Sequence, residues 1–307
     1  MIRTLEKEFR EGLSRLCRRG RGKRMKKQLR IIVISLVICA IGSAMLMSLT
    51  GCRANNESGG NMRAISELKQ GDTYAVIKFK DFDEELTFLL FKDIAPIATE
   101  EFTVAANNKY YDGKTFHRVL QNMLIQGGAL NTDGSDATIP TEDMFEVETN
   151  DNARNFHGAL CFASDPNTGM NYRQFYIVTA DSAVDVDEQA AGIKDALDKA
   201  GENDLSAAER KKHEDLHGRL TKFSDAVKER YLEQGGLPLL DGTVTVFGQL
   251  VTGWELLQKI SDVEVVRGNR IDDNNPVLGN GNGQPSRPLD NIFIETIRII
   301  TIEEESE

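Results

Sequence analysis

Cysteine, histidine, proline and tryptophan are all scarce. Four cysteines, four histidines, seven prolines and one tryptophan are spread over 307 residues. No CxxC pair occurs, so neither a disulfide framework nor a cysteine-based zinc or redox site is expected. His213 and His217 bracket Glu214 in the string HEDLH, the HExxH spacing that can hold zinc, but no further histidine follows to act as a third ligand. They read as a solvated helix face, and no metal site is expected. Positive charge is missing where nucleic-acid binding would need it. From Cys52 onward 25 basic residues face 45 acidic ones, a net charge of about −20. That excludes a basic footprint and mainly supports solubility. A two-lobed alternation of strands and helices, as in α/β solute-binding proteins, is also absent.

The start of the chain has the opposite character. Residues 1–30 hold 12 Lys/Arg and 3 Asp/Glu, and residues 31–51 hold no charge at all. Basic residues, an apolar run and then Leu49-Thr50-Gly51-Cys52 form a secretory signal with a processing site. Those last four residues resemble the lipobox of bacterial lipoproteins. The resemblance implies a thiol of Cys52 acylated with diacylglycerol and a chain cut before it. It also implies a protein held on the outer face of the cell membrane by lipid, since two acyl chains suffice for stable anchoring. The alternative is a plain transmembrane anchor, because 21 uncharged residues can span a bilayer. Cysteine at the very end of the run favours lipidation. Residues 1–24 are long for such a leader, and Met25 followed by Lys26-Lys27 would serve better as the start. Cys17 and Cys39 fall in the part to be removed, leaving Cys161 as the other cysteine of the mature chain.

Residues 52–65 are rich in Asn, Gly and Ser and read as a tether. Beyond them lie strand signals: Tyr74–Phe79, Leu86–Phe91, Thr115–Val119, Met123–Gln126, Ala159–Phe162, Gln174–Thr179, Thr243–Leu250 and Asn291–Ile302. The second is apolar enough to be buried on both faces. Pro96 opens a helix with Ile97, Phe102, Val104 and Ala105 toward its inner face and acids in its first turns. A short helix covers Trp254 to Ile260. Many strands and few helices predict a closed antiparallel barrel or a sandwich. Between Asp181 and Gly235 the pattern changes to leucines at helical spacing amid charges. Ser206 with Glu209 three on makes a capping box, and one or two inserted helices are expected over about 183–234. They are either a solvated excursion or a lid or partner-docking element. Residues 267–288 read as an exposed loop, and 303–307 as an acidic tail.

The most informative stretch is Tyr110–Gly128, YYDGKTFHRVLQNMLIQGG. It sets Arg118, a permanently charged five-donor side chain, among Phe116, Val119, Leu120, Met123, Leu124 and Ile125. Such a side chain beside apolar surface suits recognition of a polar group on a greasy ligand. The string resembles the signature of the cyclophilins, the cyclosporin-type peptidyl-prolyl isomerases. Two later segments are similar to the same family in the same order: GALCFASDPNTGMNYRQFYIVTA and LLDGTVTVFGQL. The resemblance spans roughly Ser66 to Thr301, with one large interruption. It chooses the barrel: eight antiparallel strands capped by two helices, as one domain over 66–302.

The resemblance implies an enzyme that rotates X-Pro bonds of proline-containing polypeptides without a cofactor. Arg118 would be catalytic and Gln126 would position it or the substrate backbone. Phe116 falls on the family's FH pair. Met123 and Leu124 take the pocket positions where the family has Phe-Met, giving a more aliphatic floor. Ala163 and Ser164 match the alanine-asparagine whose backbone holds substrate. Gln174, Tyr176 and Leu240 match the glutamine, pocket phenylalanine and pocket leucine. Leu239 and Val244 replace a tryptophan and a histidine found in some members, which bears on drug binding. Ser164 and Arg173 depart from the second motif, which runs one residue longer. His117 reads as structural. The rival expectation is a non-catalytic binding module or chaperone of the same fold at the cell envelope.

Overall fold

The computed structural model describes residue 61 and residues 71–136, 143–165, 168–200, 205–266 and 286–302. All lie within the compact unit Glu57–Glu307. The leader, Met25, Cys52 and the acidic tail lie outside the described residues, as does most of the loop expected over 267–288.

Eight strands close on themselves. They are β1 (Thr73–Phe79), β2 (Glu85–Leu90), β3 (Thr115–Leu120), β4 (Leu124–Gly127), β5 (Ala159–Ser164), β6 (Asn171–Val178), β7 (Val246–Thr252) and β8 (Ile292–Thr301). The order around the barrel is β1-β2-β7-β5-β6-β4-β3-β8, antiparallel throughout. The predicted barrel and all its strands are therefore present. Closure removes every sheet edge.

Side chains alternate across this wall. Phe162, Phe175, Ile177, Phe247, Ile77 and Ile294 fill the interior. Their neighbours Cys161, Tyr176, Val178, Val246 and Leu89 form a second apolar cluster on the other face. The dense second strand thus does bury residues on both faces. Period 2 in the pleat is the cause.

Helix α1 (Pro96–Asn107) closes one opening and drops Phe102 among Tyr111, Phe175 and Phe247, with ring centroids 5.1–5.4 Å apart. Such edge-to-face and tilted packing adds to plain burial. Two expectations for this helix need correction. Ile97 and Val104 are exposed, and the buried face is Ala98, Thr99, Phe102, Ala105 and Ala106. The helix's own acids, Glu100 and Glu101, fall beyond its first turn; the carboxylate at that end comes from Glu148, which accepts from Ile97 N at 3.2 Å and Ala98 N at 2.7 Å.

The insertion holds three helices, more than expected: α2 (Val186–Lys199), α3 (Ala207–Leu220) and α4 (Asp225–Gln234). The Ser206–Glu209 capping box is formed. Their small core of Val186, Ala190, Leu220, Phe223, Val227 and Tyr231 is completed by Phe156, a residue of the barrel domain. Helix α5 (Trp254–Ser261) is the second barrel cap, through Leu256, Leu257 and Ile260.

Asn61 sits in the stretch read as a tether, yet it is fully buried. Its side chain clasps the backbone of Arg154, donating to O at 2.6 Å and accepting from N at 2.9 Å, and also donates to Gln249 at 3.0 Å. At that residue the tether reading is replaced by an anchor.

Candidate active site

The hairpin β3–β4 places Arg118. Its register carries a bulge: Phe116 pairs with Gly127 and Arg118 with Gln126, so two residues advance on β3 against one on β4. The extra residue, His117, reverses the facing of the residues after it. Phe116 and Val119 enter the barrel interior, and Leu120 joins the outer cluster.

Phe116 therefore does not line the site, contrary to expectation. It is 1% exposed and packs its ring 5.5 Å from Phe79 and from Phe175. The glycines of the QGG signature are explained by this packing. A Cβ on Gly127 would meet the Phe116 ring at 3.2 Å, and one on Gly128, at φ +84°, would lie 2.8 Å from the Arg173 carbonyl.

Arg118, Gln126, Tyr176 and Cys161 are successive cross-strand partners on β3, β4, β6 and β5. Directly opposed residues share a face. Gln174, two residues before Tyr176, shares it too.

A hydrogen-bonded chain runs along this row. Arg118 Nη1 donates to Gln126 Oε1 at 3.1 Å, Gln126 Nε2 to Gln174 Oε1 at 2.8 Å, and Gln174 Nε2 to Asp136 Oδ2 at 2.7 Å. Its direction is forced by its ends. A guanidinium can only donate and a carboxylate can only accept, so both amides between them have one orientation. Burial lowers the Arg118 pKa from its ordinary value, but a guanidinium stays charged across the working range.

Beside the row lies the outer apolar cluster. Leu124 and Tyr176 are buried in it, and Met123, Ala163, Leu240 and Val244 are partly buried against it. The β5–β6 register breaks between Phe162 and Ser164: Phe162 pairs with Phe175 and Ser164 with Asn171, so four residues advance on β6 against two on β5 and Ala163 has no paired partner on β6. The surplus lies at 172–174 on β6, a bulge that loosens the ladder beside Ala163. Ser164 donates to Asn171 Oδ1 at 2.9 Å, and Asn171 in turn donates to Thr245. It braces the β5–β6 end. Leu239, next to Leu240 in a single 3-10 turn, is 40% exposed. Of the residues expected at the site, Arg118, Gln126 and Gln174 share the hydrogen-bonded row and Met123, Leu124, Ala163, Tyr176 and Leu240 the apolar cluster, whereas Ser164 turns to Asn171 and Phe116 to the barrel interior.

His117 is buried at 6% exposure beneath the loop carrying Gly134, with its Nδ1 unpartnered. Burial lowers its pKa to about 4, opposed by the charges of Asp136 and Asp133 and reinforced by Arg118.

Three polar residues of the site escape a reading of the sequence. Asp136 ends the Arg118 chain from a loop with no motif. Asn155 accepts from the Tyr176 hydroxyl at 2.8 Å and from Cys161 Sγ at 3.4 Å. Asp241 receives Asn155 N at 2.8 Å and Asn155 Nδ2 at 2.9 Å. The available signal for Asp241 is its place directly after the pocket leucine in LLDG; nothing local marks Asn155. Desolvation raises the pKa of Cys161, Tyr176 and Asp241. Cys161 is thus an inert, space-filling thiol.

Residues 74–281 match the family model described as cyclophilin type peptidyl-prolyl cis-trans isomerase/CLD. A Staphylococcus aureus (strain COL) relative, provisionally named a peptidyl-prolyl cis-trans isomerase, is 32% identical over 234 residues, covering 76% of this chain and 94% of its own. One from Staphylococcus saprophyticus with the same provisional name is 29% identical over 248 residues, 80% of this chain and 96% of its own. A solved Cryptosporidium parvum cyclophilin type peptidyl-prolyl cis-trans isomerase, crystallised in the presence of the dipeptide Ala-Pro, aligns at 19% identity and TM-score 0.47 over 74% of this chain and 99% of its own. The family model and the staphylococcal relatives, together with the closed barrel, place this chain in the cyclophilin-type peptidyl-prolyl cis-trans isomerase family.

Proposed function

We propose that this member rotates X-Pro bonds in exported polypeptides by stabilising the twisted amide with Arg118. The barrier comes from amide resonance and is about 20 kcal/mol. Uncatalysed rotation takes tens to hundreds of seconds, slow enough to delay folding. No nucleophile, metal or cofactor is needed. The site has only to bind the twisted amide more tightly than the planar one.

On twisting, the proline nitrogen regains a lone pair that a fixed cationic donor can hold, and dry apolar surroundings strengthen that bond. Arg118 is the donor. Met123, Leu124, Tyr176 and Leu240 form the apolar seat for the ring, and Ala163 and Ser164 hold the backbone of the peptide. The observation that carries the reading is the Arg118–Gln126–Gln174–Asp136 chain, which aims a guanidinium along the face that bears this cluster.

The test is a protease-coupled or NMR-exchange assay on an Ala-Pro peptide. The wild type should accelerate exchange, and Arg118→Ala should lose most of that acceleration, on the order of 100-fold or more for removal of a key charged donor. Equal, negligible rates for the two proteins sink the reading.

The reading extends to place. Acylation of Cys52 would hold the protein at the outer face of the membrane, where it meets secreted chains before they fold. Eight residues lie between Cys52 and the buried Asn61, so the chain between them reaches at most about 32 Å. Fatty-acid labelling of cells should mark the protein and miss a Cys52→Ser variant; equal labelling removes this part.

A further inference from the structure

We propose that the helical insertion is part of the proline pocket: Tyr231 on α4 is a positioning residue that acts on Tyr176 through Asp241 and Asn155. This rests on the pocket assignment above and gives the insertion a role in it.

The connection is continuous and buried. Tyr231 Oη donates to Asp241 Oδ2 at 2.7 Å. Asp241 Oδ1 accepts both the backbone N–H and the Nδ2 of Asn155, at 2.8 and 2.9 Å. Asn155 Oδ1 accepts from Tyr176 Oη at 2.8 Å. Arg154 Nη1 stands 3.6 Å from Asp241 Oδ2. Tyr231 and Asn155 are fully buried, and Asp241 and Tyr176 are 2% and 4% exposed. The two N–H groups of Asn155 facing Asp241 can only donate, so the amide oxygen must face Tyr176 and the chain has one arrangement.

Tyr176 stands where the family pattern has phenylalanine. Its ring belongs to the apolar cluster with Met123 and Leu240, but its hydroxyl is buried and needs a partner. The partner is held in place by a carboxylate, and that carboxylate by the insertion. Leu240, the other wall, is the residue directly before Asp241. Helix α4 is also seated on the Asn155 segment itself. The Tyr231 ring packs tilted against Phe156 with centroids 4.5 Å apart, and just outside the helix Arg154 lies 4.6 Å over Phe223 and Gly236 bridges to Phe156. A shift of α4 is therefore passed to both the floor and one wall of the pocket.

The test compares Tyr231→Phe, Tyr176→Phe and the double variant in the full chain, held in detergent micelles. Tyr231→Phe should raise KM for an Ala-Pro peptide roughly three- to tenfold, as loss of one buried hydrogen bond permits, with kcat nearly kept. In the Tyr176→Phe background the same change should leave KM unmoved, because the relay is already cut. In the free protein, the Tyr176 ring resonances should move in Tyr231→Phe and stay in place in Lys211→Ala, an exposed change on α3. A purely structural Tyr231 would lower the melting temperature equally in both backgrounds with KM and the Tyr176 resonances unchanged, and that result overturns the proposal. If the wild type lacks isomerase activity, the functional reading fails, and the Tyr176 resonances alone decide the coupling.

Discussion

His117 makes the stability of this protein depend on pH in a calculable way. The imidazole is 6% exposed beneath the Gly134 loop, and its pKa lies near 4 against an ordinary 6.5. Desolvation is the leading cause, and the neighbouring Arg118 charge adds to it. The folded state therefore binds this proton less readily than the unfolded chain. Stability from this group is complete above pH 6.5 and is lost as pH falls toward 4. A depression of that size corresponds to about 3 kcal/mol in full, and about 2 kcal/mol is already lost between pH 7.5 and 5. For a domain of this length that is a fall of roughly 4–8 °C in Tm. Thermal unfolding of wild type and His117→Phe across pH 7.5 to 5 isolates the group, because the carboxylates common to both cancel in the difference. The variant should lose less stability over the window by the amount given. NMR titration of the wild-type ring checks the same number even if the variant folds poorly. Parallel pH profiles, or a ring that titrates at 6 or above, would refute the account.

Two further perturbations probe the same geometry. Gln126→Leu keeps the side-chain size but cuts the chain between Arg118 and Gln174, removing one hydrogen bond from a charged group and one neutral bond. Catalytic efficiency in the isomerase assay should fall by roughly 10- to 100-fold, and wild-type efficiency would show that Arg118 needs no orienting partner. Glu148→Ala removes the only side chain seen capping α1 among the described residues. Denaturant unfolding should show a loss of about 1 kcal/mol, and an unchanged midpoint would mean that solvent serves those N–H groups equally well.

Much of the barrel is legible along the chain because strand alternation is local: Thr73–Phe79 and Ile292–Thr301 carry their own period, and Pro96 marks where α1 begins. The boundaries differ from expectation by a few residues. Ile97 and Val104 depart from the pattern because an apolar residue near the stripe of a short helix need not face the core, and here Phe102 and the small alanines make the contact. Phe116 departs from it because period 2 does not carry through a bulge, and only the pairing with β4 reveals that bulge. The insertion's third helix is hidden by a weak apolar pattern, since its partner surface, Phe156, lies thirty residues before α2 begins.

By itself the sequence determined the kinds of groups available: one arginine beside two glutamines in separate segments, an aliphatic pocket set, and a strand period that closes a barrel. Which way those groups point was decided only in three dimensions. A glutamine amide looks the same from either end until a carboxylate such as Asp136 stands beside it. Glu148 caps a helix about fifty residues earlier in the chain, and Tyr231 reaches the pocket through Asp241 and Asn155. Hydrogen bonds of that kind depend on distances of about 3 Å between segments far apart in the chain, and no local pattern encodes them.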